Sequence, residues 1–361
     1  MIPVTEPFLP PQQEFQKYLD EVWKRNWLTN NGPLVVELER RLREYLGLSN
    51  LLFVTNGTIG LQLAIKALDL KGEIITTPFS YVATTSSIVW EGCTPRFVDI
   101  DANTFNVDPN LIESAINENT SAILATHVFG NPCDVDRIDA IARKYKLRVI
   151  YDAAHCFGVN YHGKSILSYG DISVISFHAT KLFHTIEGGA VVSTDPEVHR
   201  NLIQLRNFGH FGPYRFKGLG INGKNSEVHA AMGLCNLQYA EAILNKRKYD
   251  SERYDQLLEG LGLMKQVIVP GTDYNYSYYS VLFDEESTLL KTMKILEQHK
   301  IASRRYFYPI LSTLDYVTPV SLPIAENVSR RILCLPISYQ ITKEQIGRVC
   351  DCISRSLSND L

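Results

Sequence analysis

The amino-acid sequence predicts an α/β fold: a mostly parallel central sheet with helices on both faces, followed by a smaller α+β C-terminal domain. Three observations carry this. Short apolar runs alternate with helical patterns as far as about residue 225. The runs themselves are nearly continuous in apolar residues, as strands covered on both faces must be. Beyond that point the rhythm changes to a mixture of short strands and longer helices.

LLFVTNG (51–57) reads as a strand ending in a turn. TIGLQLAIKAL follows, with Leu61, Ile65 and Leu68 at the i, i+4, i+7 spacing of one helical face. GEIITTP (72–78), TPRFVDI (94–100), SAILATHVFG (121–130), LRVIYDAAH (147–155) and DISVISFHATK (171–181) are the next strands. RIDAIARKYK (137–146) fits an intervening helix. The stretch 226–261 reads as one long helix, placed to bridge two domains. The predicted division is residues 1–240, a large α/β domain with an N-terminal arm, and residues 241–361, the smaller domain.

Composition narrows the function. The chain has 361 residues, 45% hydrophobic and 21% charged, with a net charge of −3. Nucleic acid and anionic membranes both demand a concentrated positive surface, which this balance does not suggest. No window approaches the roughly 18–20 apolar residues of a membrane span. The N-terminal MIPVTEPFLPP lacks the basic and apolar regions of a secretory signal. The seven cysteines are odd in number and scattered, unlike a disulfide framework. A cytoplasmic protein with reduced thiols is expected.

Three motifs suggest chemistry. In VTNGTIGLQLA a strand runs through Asn56, Gly57 and Thr58 into a helix. Free N–H groups and the dipole at a helix N-terminus attract an anion, and glycine admits close backbone approach. Thr58 could equally be only a helix cap. In LRVIYDAAHCFG, Asp152 sits at the carboxyl end of an apolar strand, where open α/β sheets bind ligands. A carboxylate buried there needs a cationic or hydrogen-bonding partner; a turn-capping role is the alternative. His155 follows three residues on. In ISFHATKLFHTIEGGAVV, Lys181 follows a buried strand and precedes a Gly-Gly pair. It is either an ordinary solvated lysine or a desolvated amine competent to attack a carbonyl.

The combination is more informative than its parts. An anion cradle near residue 57, a carboxylate at 152, a hydroxyl at Ser176 and an amine at 181 all fall at strand or helix ends of one domain. Pyridoxal 5′-phosphate needs that set: a phosphate site, an acid that keeps the ring nitrogen protonated, and a lysine for the aldehyde.

The motifs NGT (56–58), YDAAH (151–155), SFHATK (176–181), EGGAVV (187–192), GINGKNSEVHAAMG (220–233) and RRYFYP (304–309) occur together and in order. In them the chain resembles the sugar aminotransferases of the DegT/DnrJ/StrS family, which have the type I, aspartate-aminotransferase-like fold of pyridoxal-phosphate enzymes. The resemblance spans nearly the whole chain. It implies that Lys181 bonds the cofactor and that Asp152 pairs with the ring nitrogen. It further implies His155 near the ring's 3-hydroxyl, Gly57, Thr58 and Ser176 on the phosphate, and Tyr81 stacked on the ring. Asn222 matches an asparagine that reaches the phosphate of a neighbouring subunit, implying a homodimer with shared active sites. Related dehydratases carry histidine in place of the lysine; this chain keeps the lysine.

The implied reaction moves an amino group from L-glutamate, released as 2-oxoglutarate, to a nucleotide-linked keto sugar. Within the family the chain looks most like members that convert dTDP-4-keto-6-deoxy-D-glucose to dTDP-4-amino-4,6-dideoxy-D-glucose for surface polysaccharide such as O-antigen. Amination at C3, a UDP-linked substrate and a non-catalytic regulator are the alternatives. Trp27, Asn30, Asn31 and the aromatic set Tyr306, Phe307 and Tyr308 are candidate sugar or nucleotide contacts, with interface packing as the alternative. No metal is expected. Phe183 and His184 depart from the small polar residues expected after the lysine and receive no role.

Overall fold

The computed structural model describes residues 1–358. Its strands are β1 (Leu52–Val54), β2 (Glu73–Thr76), β3 (Thr94–Phe97), β4 (Thr120–Thr126), β5 (Arg148–Asp152), β6 (Asn160–Tyr161), β7 (Lys164–Ser165), β8 (Ile172–Ser176), β9 (Gly189–Val192), β10 (Thr272–Asp273), β11 (Tyr279–Leu282) and β12 (Ile332–Leu335). The helices that matter below are α1 (Gln12–Arg25), α2 (Pro33–Leu46), α3 (Gly57–Ala67), α4 (Val82–Trp90), α5 (Pro109–Ala115), α6 (Val135–Tyr145), α7 (Pro196–Arg206), α8 (Glu227–Leu237), α9 (Ala240–Leu258), α10 (Glu286–Gln298), α11 (Pro323–Arg331) and α12 (Lys343–Leu357).

A seven-stranded sheet in the order β1-β9-β8-β5-β4-β2-β3 forms the centre. The five strands from β8 to β3 run parallel, and β9 and β1 complete one edge in antiparallel pairing. The continuous apolar runs have a direct cause. Successive side chains point to opposite faces, and both faces are covered. Ile75, Ile123, Val149 and Ile175 enter the core on one side. Their chain neighbours Ile74, Leu124, Ile150 and Val174 enter the core on the other, under α3 and α7. Five parallel strands therefore end at one rim, where loops carry the polar residues.

A second core gathers around the β11–β12 pair, α10 and α12. An aromatic cluster joins it to the large sheet: Phe79, Phe105 and Phe129 meet Tyr278, Phe307 and Ile332. Helix α9 serves both bodies, with Ile243 in the first core and Tyr254 and Leu258 in the second.

Two features differ from the sequence reading. The long helix expected over 226–261 is two helices, because the chain leaves helical geometry at Tyr239 (φ −104°, ψ 1°). The side chains at the break are committed elsewhere. Asn236 donates to the His184 carbonyl at 2.9 Å, and the Tyr239 hydroxyl donates to Glu14 at 2.8 Å. The N-terminal arm begins on the smaller body. Ile2 pairs with Ile301, and Ile337 donates to the Val4 carbonyl at 3.0 Å.

Candidate active site

The site is built at the rim where the parallel strands end. A cavity of about 710 Å³ opens there, lined in part by Gly57, Thr58, Tyr81, Asp152, Ser176 and Lys181. His155 and Tyr306 also face it.

At one end stands the N-terminus of α3. Asn56 caps it, its side chain accepting from Ile59 N at 2.9 Å. Gly60 N is the first to bond back, to the Asn56 carbonyl. The Gly57 and Thr58 N–H groups thus lie before the first intrahelical bond, where a helix presents free donors and its positive pole. Gly57 keeps the cradle open. A Cβ there would lie 3.3 Å from the Ser176 Cβ and would narrow the cradle between them.

At the cavity floor Asp152 ends β5, 6% exposed. Burial raises its pKa; the Thr84 hydroxyl, the Ala154 N–H and the charge of Lys181 pull it back toward the ionised form. Thr84 Oγ1 donates to Asp152 Oδ2 at 2.7 Å, and Ala154 N donates to Oδ1 at 3.1 Å. Behind Thr84 lie Ser80, 2.7 Å from it, and Thr126, which donates to Ser80 at 3.0 Å. These hydroxyls form one directional chain whose last proton points at the carboxylate. None of the three was singled out from the sequence. The signal for Ser80 and Thr84 is the hydroxyl-rich SYVATT after β2, legible only once α4 is known to lie against β5.

Lys181 lies beyond β8, where the chain turns before β9. Its Nζ donates to the Tyr278 hydroxyl at 3.4 Å and lies 5.9 Å from that ring's centroid. Burial lowers its pKa; Tyr306, Asp152 and Tyr81 oppose that, and Arg304 reinforces it. Gly189, the first residue of β9, lets the junction of β1 and α3 approach closely, since a Cβ there would meet the Asn56 and Gly57 backbone at 2.8 Å. His155 is held neutral by burial, with a lesser push from Lys181. Its Nδ1 is buried without a hydrogen-bond partner, so the site keeps one ring nitrogen for a ligand.

Pyridoxal phosphate fits this set. The α3 N-terminus with Thr58 and Ser176 suits a phosphate, Asp152 a protonated pyridine, the orphaned His155 nitrogen a ring hydroxyl, and Lys181 an aldehyde.

The geometry has a counterpart in known proteins. A sequence model of the DegT/DnrJ/EryC1/StrS aminotransferases matches residues 11–354. The chain belongs to this family. It is 41% identical to a dTDP-4-amino-4,6-dideoxy-D-glucose transaminase of Escherichia coli, over 96% of both chains. It is 42% identical to the transaminase of that name from Shigella dysenteriae, over 94% of this chain and 95% of the other. It also superposes on the crystal structure of DesI in the presence of its TDP-sugar product, with a TM-score of 0.93 and 32% identity, over 99% of this chain and 93% of that one. The fold is the pyridoxal-phosphate transferase fold expected. The protein is a pyridoxal-phosphate-dependent nucleotide-sugar aminotransferase.

Other candidates lie outside the cavity wall of this chain. Asn222 is exposed, with its Oδ1 accepting from Lys224 Nζ at 2.8 Å. Trp27 is exposed and donates to the Thr29 carbonyl at 2.6 Å. Asn30 is exposed in left-handed backbone (φ 61°), and Asn31 accepts from Arg206 at 2.9 Å. Tyr308 packs under the Arg305 guanidinium, 3.6 Å from its ring centroid. Phe307 is core. Phe183 and His184 are core as well. Phe183 stacks on Phe157 at 4.3 Å, and His184 Nε2 lies 2.7 Å from the Phe8 carbonyl oxygen. They tie the lysine turn to the N-terminal arm. Asn225, His178 and Arg304 line the cavity without having been anticipated.

Among the described residues, no group of three or more His, Cys, Asp or Glu side chains could hold a metal ion, and no helix is long and apolar enough to cross a membrane.

Proposed function

We propose that the protein moves the amino group of L-glutamate to C4 of dTDP-4-keto-6-deoxy-D-glucose, giving dTDP-4-amino-4,6-dideoxy-D-glucose for surface polysaccharide such as O-antigen. The observation that carries this reading is the buried Lys181 amine, facing one cavity with Asp152 and the α3 N-terminus. The relatives named for that product supply the sugar.

Pyridoxal phosphate supplies, when bound, an electron sink for the carbanion left at the donor's α-carbon. The chain does the rest. Gly57 and Thr58 N–H groups and the Thr58 and Ser176 hydroxyls hold the phosphate. Asp152 keeps a proton on the ring nitrogen by charge alone, and Thr84 holds it ionised. Tyr81 covers the ring face, an offset stack worth about 0.5–1.5 kcal/mol. Lys181 would hold the cofactor's aldehyde, and its amine, once free, would act as the general base toward the donor's α-proton. Its lowered pKa raises the neutral fraction at a given pH relative to an ordinary lysine. 2-Oxoglutarate leaves, and the same residues act in reverse order on the keto sugar.

The enzyme acts as a homodimer, in which Asn222 of each chain reaches the phosphate held by the other. Its exposure beside Lys224, away from its own cavity, supports that role. Seven free, buried cysteines suit the reducing cytoplasm.

The test is product analysis by NMR after incubation with L-glutamate and dTDP-4-keto-6-deoxy-D-glucose. The expected product carries an equatorial amine at C4, as the gluco configuration requires. An amine at C3, or no aminated sugar, would refute the substrate assignment.

A further inference from the structure

The segment 304–309 places two arginines side by side, and the fold treats them differently. Arg305 is compensated: it donates to Glu286 Oε1 at 2.6 Å and to the Arg330 carbonyl at 3.0 Å. Arg304, exposed at the cavity's edge, forms no ion pair among the described residues and lines the cavity. Its backbone is fixed to β12 by two hydrogen bonds with Cys334, at 3.2 and 2.8 Å. Its Nη1 donates to the Tyr306 hydroxyl at 2.6 Å, leaving the other guanidinium donors without a side-chain partner. From Tyr306 the contacts run to the Tyr278 ring (5.6 Å between centroids), and the Tyr278 hydroxyl meets Lys181. The Arg304 charge also acts on the Lys181 amine.

The anionic side chains of the cavity are already engaged. Asp152 accepts from Thr84 and Ala154, and Glu187 lies 3.4 Å from His178. An uncompensated guanidinium held near a reactive amine is a receptor for a small anion. Its planar fork matches a carboxylate with two parallel hydrogen bonds. Both substrates are anionic, and connectivity separates them. The donor's α-carboxylate is one bond from the carbon that Lys181 must reach. The diphosphate of the keto sugar hangs from C1, across the ring from the C4 ketone. We infer that Arg304 binds the α-carboxylate of the amino donor. The inference rests on the aminotransferase reading of the cavity and assigns a residue to its donor half.

The two half-reactions separate the possibilities. Holoenzymes of wild type, Arg304→Gln and Arg304→Lys are mixed with L-glutamate alone, and loss of the cofactor's visible band is followed in a single turnover. The aminated enzymes are then mixed with keto sugar alone. The glutamate concentration for half-maximal rate should rise about 100-fold in Arg304→Gln and less in Arg304→Lys, the loss of a charge-assisted pair. Half-saturation by keto sugar should stay within about 3-fold, since that substrate lacks the carboxylate. Calorimetric titration with glutarate, an unreactive dicarboxylate, should show binding to wild type and none to Arg304→Gln. Unchanged glutamate dependence, or a rise confined to the keto sugar, overturns the assignment and points to the diphosphate. A wild-type enzyme that reacts with glutamate but aminates no keto sugar refutes the sugar reading, while the first half-reaction still decides on Arg304. A wild-type enzyme that reacts with no α-amino acid overturns both.

Discussion

Two cavities of nearly equal size lie at opposite ends of β5, about 730 Å³ beside Arg148 and about 710 Å³ beside Asp152. The first is lined by α6 and the start of the strand, and its three acids and three bases balance in number. Arg148 pairs with Asp171 at 2.8 Å, and Arg143 with Asp139 at 2.9 Å. The second holds a fully buried carboxylate, an amine with a lowered pKa, an unpaired guanidinium and a histidine nitrogen without a partner. Volume does not distinguish them. Buried polar groups do, because one left without a partner carries a free-energy cost that a ligand can relieve, and the exposed Arg304 adds a positive charge at the edge. The direction of the strands explains the asymmetry: five parallel strands deliver their following loops to one rim only.

Breaking this contrast should have graded effects. Lys181→Ala removes both the attachment and the proton carrier, and turnover measured by product formation should fall by about 10³-fold or more. Asp152→Asn keeps the shape and removes the charge, so turnover should fall by about 10²-fold, with the bound cofactor's absorbance shifted. Thr84→Val removes a hydrogen bond that lowers the Asp152 pKa, leaving burial less opposed. The carboxylate then protonates at higher pH, and the acidic limb of the rate profile should move upward in pH. An unmoved limb would show that the hydroxyl chain only packs. Phe183→Ala empties a core position and should cost about 3–5 kcal/mol in denaturant unfolding, while kcat per folded molecule stays within about 3-fold. Arg148→Gln, at the matched cavity, should change stability by less than about 1 kcal/mol and leave kcat unaltered.

Much of this was legible in the sequence because the decisive residues sit at ends of elements with strong patterns. The apolar runs around Ile123, Ile150 and Val174 announced the buried sheet, and Asp152 and Lys181 followed directly behind their strands. What escaped notice depends on packing between distant segments. Thr84 and Ser80 look like ordinary hydroxyls of a helix start until α4 brings them to Asp152. Arg304 and Arg305 are indistinguishable as letters; Glu286 compensates one and leaves the other. Phe183 and His184, which received no role from the sequence, are turned into the core just after Lys181. The break at Tyr239 has no helix-breaking residue to announce it; it lies where the Tyr239 hydroxyl donates to Glu14 in the N-terminal helix.

We propose that the charge set at the carboxyl rim, completed by Lys181, holds the cofactor. Reduction of the holoenzyme with borohydride, followed by peptide mapping, tests it most directly. The expected result is a phosphopyridoxyl group fixed on Lys181 alone. A label on another lysine, such as Lys146 at the matched cavity or Lys224 beside Asn222, would contradict it, as would no label in a protein shown to carry the cofactor.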